Sequence, residues 1–253
     1  MARRRKRLNR TKLEILQVAN KMFLEKGYTK TSAQAISEEL DISTGNLTYH
    51  FPSKEDILTV LVEMFCEFSW NLLQREIDNG KSSLLALCME LTAMAAMADE
   101  SEIAKDFYLA LYSHSATLEI AIKNDKERAK VVMKDYTEGW TEEQYRMTQT
   151  MVSGIEYTTL MTTERALSLE QRISGALNGV MLLYGIPENV RAVKIKKILA
   201  MDYRAIGRKM LEEFIEYVEN ATEEILYDAV EKSKKEKAEF NESLYGTPEN
   251  EEN

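Results

Sequence analysis

The chain has 253 residues, room for one small and one larger domain, and 44% of them are hydrophobic, ample for a core. Its 33 Lys/Arg and 42 Asp/Glu give a net charge of −9, so the molecule as a whole is not a basic body. No apolar run approaches the ~18 residues of a membrane span, and no apolar segment of a secretory signal follows the N-terminal arginines. The two cysteines, Cys66 and Cys88, lie in apolar helical stretches and read as reduced, buried thiols of a cytoplasmic protein.

The charge is unevenly placed. Residues 1–60 hold 11 Lys/Arg against 7 Asp/Glu, net +4, and residues 61–253 hold 22 against 35, net −13. This asymmetry assigns any nucleic-acid partner to the N-terminal end. Residues 1–11 form a basic arm with Arg3, Arg4, Arg5, Lys6, Arg7 and Arg10. Such an arm either follows a phosphate backbone or reaches a minor groove, or is a solvated tail.

A first helix is expected over 12–26, where Leu13, Leu16, Ala19, Phe23 and Leu24 recur at helical spacing. Gly27 follows as a residue able to take positive φ. A second helix starts near Thr31, with Thr31 and Gln34 as a capping box, and places Ala35, Ile36 and Leu40 on one face. Asp41 stands where the turn needs a left-handed residue. Ser43 is the N-cap of a short third helix over 44–51, with Leu47 and Phe51 inward and Thr44, Gly45, Asn46, Thr48 and Tyr49 outward. Pro52 stops it, and Ser53 with Asp56 caps a long fourth helix that ends at Asn79-Gly80.

Further helices are expected over 82–98, 101–122, 125–136, 141–163, 168–184, 188–200 and 203–236, the fifth of these ended by Gly185-Ile186-Pro187. Residues 239–253 are polar and acidic, an expected disordered tail. No alternating strand pattern occurs, so the fold class is all-α: a helix-turn-helix domain over 12–60 followed by a larger helical domain over 61–238. A short helix behind a tight turn, polar on its outer face, is what a major-groove reader needs.

No catalytic set emerges. The chain has two histidines and no HExxH, CxxC or glycine-rich phosphate loop. Ser113-His114-Ser115 offers a nucleophile beside a base, but neighbours on a helix point about 100° apart and no acid orients them. Neither an enzyme nor a cofactor or metal is expected.

The segments FLEKGYTKTSAQAIS and DISTGNLTYHFPSKEDIL resemble the N-terminal domain of TetR-family transcriptional regulators, over about residues 12–61. Tyr-His-Phe followed by Ser-Lys-Glu is the specific part, since a generic helix-turn-helix has no need of it. The resemblance implies that the third helix enters the major groove, and Thr44, Gly45, Asn46 and Thr48, which start or line its outer face, are then the expected base contacts. It implies Tyr49, His50 and Lys54 as phosphate contacts, and Thr31 joins them in this reading. The chain departs from the family pattern at Asp41, where glycine is usual, and at Thr48, where an aromatic residue is common.

The larger domain is rich in methionine and tyrosine, which suits a wall around apolar or aromatic molecules. The candidate effector-pocket residues are Met94, Phe107, Tyr108, Tyr112, His114, Met147, Met151, Tyr157 and Met181. No basic cluster for a phosphorylated ligand occurs among residues 82–184 and the domain is negative, so the expected effector is mostly apolar, neutral or cationic rather than anionic. One short helix reads too few base pairs, so a homodimer on a palindromic operator is expected. The resemblance places the dimer contact in the last helices. The candidates are Gly175, Gly179 and Leu183 on one helix and Met210, Phe214 and Tyr217 on another. The expected function is a DNA-binding repressor released by a small-molecule effector. The alternatives are an effector-independent regulator and a helical interaction module without DNA binding.

Overall fold

The computed structural model describes residues 2–162 and 167–245, without the side chains of 2–9 and 240–245. Twelve helices and no strand occur among the described residues. The first three, α1 (Ala2–Lys26), α2 (Ala33–Glu39) and α3 (Thr44–His50), pack around Ile15, Leu16, Phe23, Ile36, Leu47 and Phe51. The long α4 (Lys54–Asp78) closes this core with Ile57, Leu58 and Leu61 and continues into the larger domain. The expected boundary at residue 60 therefore falls inside a helix.

The larger domain continues with α5 (Ser83–Glu100), α6 (Glu102–Ser113), α7 (Ser115–Val132), α8 (Glu142–Met161), α9 (Leu169–Leu183), α10 (Glu188–Leu199), α11 (Tyr203–Glu219) and α12 (Glu223–Tyr245). Two apolar cores result. One runs from the N-terminal helices through α4, α6, α11 and α12. The other lies among α5, α7, α8, α9 and α10. Phe214 sits at the centre of the first, its ring 5.1 Å from Phe65 and 5.5 Å from Phe68.

Local chemistry accounts for most helix ends. The capping boxes at Ser53/Asp56, Thr141/Gln144 and Ser168/Gln171 all form. Five boundaries differ from expectation. Helix α1 begins at Ala2, so residues 2–11 continue the helix rather than forming a separate arm; the arginine side chains up to residue 9 lie outside the described residues. Ser32, not Thr31, caps α2 by accepting from Ala35 N. The break expected between 122 and 125 falls at His114, whose extended backbone (φ −102°, ψ 131°) separates α6 from α7. No glycine or proline marks that position, so the apolar spacing runs through it unbroken. The stretch 203–236 divides at Asn220, with the Thr222 hydroxyl accepting from Ile225 N at 3.3 Å. Helix α12 extends to Tyr245, into the segment expected as a tail, and residues 246–253 lie outside the described residues.

Candidate nucleic-acid interface and effector cavity

The turn between α2 and α3 is built by backbone hydrogen bonds. Ile42 N donates to Ser37 O at 3.0 Å and Leu40 N to Ile36 O at 3.2 Å. Asp41 takes φ 52°, the left-handed conformation that a short polar side chain tolerates. Ser43 then accepts from Asn46 N at 3.1 Å and starts α3. The Ser37 and Thr44 hydroxyls meet at 3.2 Å and tie the two helices together.

With Leu47 fully buried and His50 8% exposed, α3 faces outward with Thr44, Gly45, Asn46, Thr48 and Tyr49. Thr48 Oγ1 is turned back to Gly45 O at 3.2 Å. The Asn46 amide makes no hydrogen bond among the described residues, so its donor and acceptor both face solvent. Gly45 needs its small size for nothing inside the chain: a Cβ there would meet only Ser43 Oγ, at 3.9 Å. A glycine at that place leaves room for an external surface to approach the backbone.

The expected phosphate contacts divide. Tyr49 is 67% exposed, its ring edge-on to His50 at 5.3 Å. Burial, then the charge of Lys12, lowers the His50 pKa, so this imidazole is neutral near pH 7 and can donate one N–H. Thr31 does not reach the surface. It is buried, and its hydroxyl donates to Gly27 O at 2.8 Å, stapling the end of α1. Lys54 is half-buried over the Tyr28 ring, 4.0 Å from its centroid, and donates to Tyr28 O at 3.0 Å and Thr31 O at 3.1 Å. Two of its three N–H groups are thus committed to the loop before α2. At the N-terminus of α4, Asp56 accepts from Ser53 N at 2.9 Å, and its carboxylate pairs with Lys237.

The same loop joins the larger domain. Thr29 N donates to Asp106 Oδ2 at 2.8 Å, and the Thr29 hydroxyl to Asp106 Oδ1 at 2.5 Å. Gly27 (φ 97°) passes so close that a Cβ would lie 2.9 Å from Asp106 Oδ2. His114, at the other end of α6, sets its ring edge-on to Tyr28 at 5.6 Å.

Behind these contacts lies a mostly apolar cavity between α4, α5, α6, α7, α8 and α9. Of the candidate effector residues, Met94, Tyr112 and Met181 line it. The other six do not. Phe107 and Tyr108 are fully buried in the α4/α6/α11 core. His114 belongs to the domain contact. Tyr157 is half-buried outside the lining. Met147 and Met151 are 55% and 52% exposed on the outside of α8. Residues that the sequence did not single out also line the cavity: Glu90, Asp125, Arg128, Gln149 and Glu156. Their helices carry many acidic residues, and no local signal separates these from the solvated ones.

The expected dimer residues divide as well. On α9, Gly175 is exposed, with open space over it, and Gly179 and Leu183 are half-exposed. On α11, Met210 and Phe214 are buried in the chain's own core, and Tyr217 packs on Phe68 at 5.8 Å. The α11 half of the expected interface is therefore corrected to intramolecular packing. The exposed apolar partners of α9 lie on α8: Met147, Met151 and Met161, in line with open Gly154, beside Leu182 on α9.

Residues 15–61 match the family model of bacterial regulatory proteins of the tetR family. Over 80 residues the chain is 32% identical to the uncharacterized HTH-type transcriptional regulator YuxN of Bacillus subtilis (strain 168), covering 32% of this chain and 28% of that protein. Over 71 residues it is 31% identical to the HTH-type transcriptional repressor KstR2 of Mycolicibacterium smegmatis (strain ATCC 700084 / mc(2)155), covering 28% of this chain and 35% of that protein. The chain thus spans roughly a third of the length of these curated relatives. Among solved structures, a gamma-butyrolactone receptor (ArpA-like protein) is similar with a TM-score of 0.43 and 17% identity, over 81% of this chain and 99% of that one.

Proposed function

We propose that this chain, a TetR-family protein by its residues 15–61, is a homodimeric, sequence-specific DNA-binding transcriptional regulator, a repressor that a small-molecule effector releases from its operator. The observation that carries the reading is the outer face of α3. It presents Asn46 with an uncommitted amide beside a glycine that nothing inside the chain requires, on a helix held rigid by buried Leu47. Such a face can enter a major groove and read base edges. Tyr49 and neutral His50 stand beside it for the phosphates. No helix among the described residues is long and apolar enough to cross a membrane.

Two copies would join through the α8/α9 face, where Met147, Met151, Met161 and Leu182 are exposed around open glycines. Small residues let helices of two copies approach closely, and the methionines supply the apolar contact. The dimer would set the two α3 helices on successive turns of a palindromic site.

Release is a population shift. Helix α6 carries Tyr112 at the cavity and Asp106 at the loop before α2, with His114 on Tyr28. A ligand that favours a displaced α6 would move that loop, and with it α3, out of register with its twin. Selection of bound sequences from a random DNA pool with the purified full chain tests the reading. Enrichment of a palindrome with half-sites about one helical turn apart is expected. Recovery of no enriched sequence would favour the interaction module without DNA binding.

A further inference from the structure

The cavity carries more carboxyl groups than its one cation can neutralise. Its lining includes three carboxylates, Glu90, Asp125 and Glu156, and one guanidinium, Arg128. Arg128, 5% exposed, donates Nη1 to Glu90 Oε1 at 3.1 Å and to Asp125 Oδ1 at 3.2 Å, and Nη2 to Glu90 Oε2. Among the described residues Glu156 has no cation paired with it and accepts only from the Tyr112 hydroxyl, at 3.2 Å. Around these groups the wall is apolar, with Phe65, Leu91, Met94, Met133, Val152 and Met181. A charge in such surroundings is costly unless an opposite charge meets it. Independently of the carboxylates, Arg128 Nε is buried without a hydrogen-bond partner. A donor left unused on a nine-tenths buried side chain at a cavity wall calls for an acceptor.

We propose that the cavity takes a protonated amine with an apolar body and an ether or hydroxyl oxygen, the ammonium neutralising Glu156 and Asp125 and the oxygen accepting from Arg128. This deepens the effector reading above and rests on it only for the link to DNA. An anionic ligand would meet the carboxylates of Glu90 and Asp125. A neutral one would leave Glu156 protonated and gain no charge pairing from it.

The protonation states agree. Burial, then the charges of Asp125 and Glu90, hold the Glu156 carboxyl well above the usual carboxylate range. Burial pushes Asp125 up to about 6, against the pull of Arg128. In the empty cavity Glu156 therefore keeps a proton that a bound ammonium would displace, whereas Asp125 keeps one only below about pH 6. The other titratable groups facing them are Tyr112 from α6, Tyr184 from α9, Cys66 from α4 and Cys88 beside Glu90 on α5. Burial raises all four, so they stay neutral below pH 8. Cation affinity should then rise with pH, by at most about tenfold per unit for each proton released.

The test is calorimetric titration of the full chain with three isosteric probes: 3-phenoxypropan-1-amine, 3-phenoxypropan-1-ol and 3-phenoxypropanoate. At pH 7.5 the amine should bind at least about tenfold more tightly than the alcohol, and the acid most weakly. The amine's affinity should climb from pH 5.5 to 7.5 while the alcohol's stays flat. In Glu156→Gln, and separately in Asp125→Asn, the ratio of amine to alcohol affinity should fall toward one. An alcohol or acid that binds as well as the amine, or an amine that does not bind, overturns the assignment. DNA binding is measured in a separate assay without ligand. A chain that binds its selected operator but not the amine therefore refutes this inference alone. A chain that takes the amine but binds no DNA refutes the regulatory reading instead.

Discussion

Asn46 and Lys54 lie eight positions apart in the chain and differ in what the fold leaves them free to do. Asn46 points away from every other described residue, so its substitution changes only what an external partner meets. Asn46→Ala should alter the preferred base at one position of each half-site, by about 1–3 kcal/mol against the wrong base. Sequencing of pools selected by the two proteins checks this, and a uniform loss of affinity with an unaltered profile would make Asn46 a positioning residue. Lys54 is spent on the loop before α2. Lys54→Ala should lower the melting temperature and weaken all DNA sequences alike. The slope of log affinity against log salt should stay nearly constant, because no phosphate contact is removed. A slope smaller by about one unit for each lost contact would restore Lys54 to the phosphate set.

Among the helices, the crossing of α5 and α11 depends on one residue. A Cβ at Gly207 would lie 2.7 Å from Ala93 O and 2.9 Å from Met97 Cγ. The methionine can yield, but the backbone carbonyl of α5 cannot. Alanine is otherwise the better helix former by about 1 kcal/mol, so overpacking and propensity oppose each other. Overpacking of a closed core costs roughly 1–3 kcal/mol and should win. Gly207→Ala should therefore lower the melting temperature, and a melting temperature at or above that of the parent chain would show that α11 can slide away. The same crossing explains the turn of Met210 and Phe214 inward. Pressed onto α5 and α4, α11 buries Met210 and Phe214 within the chain and leaves Ile206, Leu211 and Tyr217 only partly covered.

For the whole molecule, the question is what covers the outside of α8 and α9. Met151 is 52% exposed in the middle of that face, so a charge there costs the isolated chain little. Between two copies the same charge would be buried against its twin without a counter-ion, which is strongly unfavourable. Met151→Glu should remain folded and sediment as a monomer at micromolar concentration. Operator affinity should fall with it, because a single α3 reads half a site. A dimer that persists in sedimentation velocity would move the interface elsewhere. The surplus negative charge of residues 61–253 does not hinder DNA binding if only α3 and its neighbours approach the duplex, since exposed charges beyond about 8–10 Å are screened at physiological salt.

The sequence by itself determined whatever is decided within a few residues. The left-handed Asp41, the cap at Ser43, the capping box at Ser53 and Asp56, and the inward Leu47 and Phe51 all follow from hydrogen bonds and spacing inside one turn of chain. These interactions also set which side chains α3 shows to solvent. Tertiary structure decided everything that depends on what covers a helix face. Apolar spacing says that α8 and α11 each have a face to bury, and not whether this chain or another buries it. Met151 and Phe214 carry the same local signal, yet one is exposed and the other is at the centre of the core. Lys54 finds its acceptors 23 and 26 residues away, and Arg128 meets Glu90 across 38. Such pairings depend on how helices are stacked, a sum of weak contacts spread over the whole chain, and no local pattern records it.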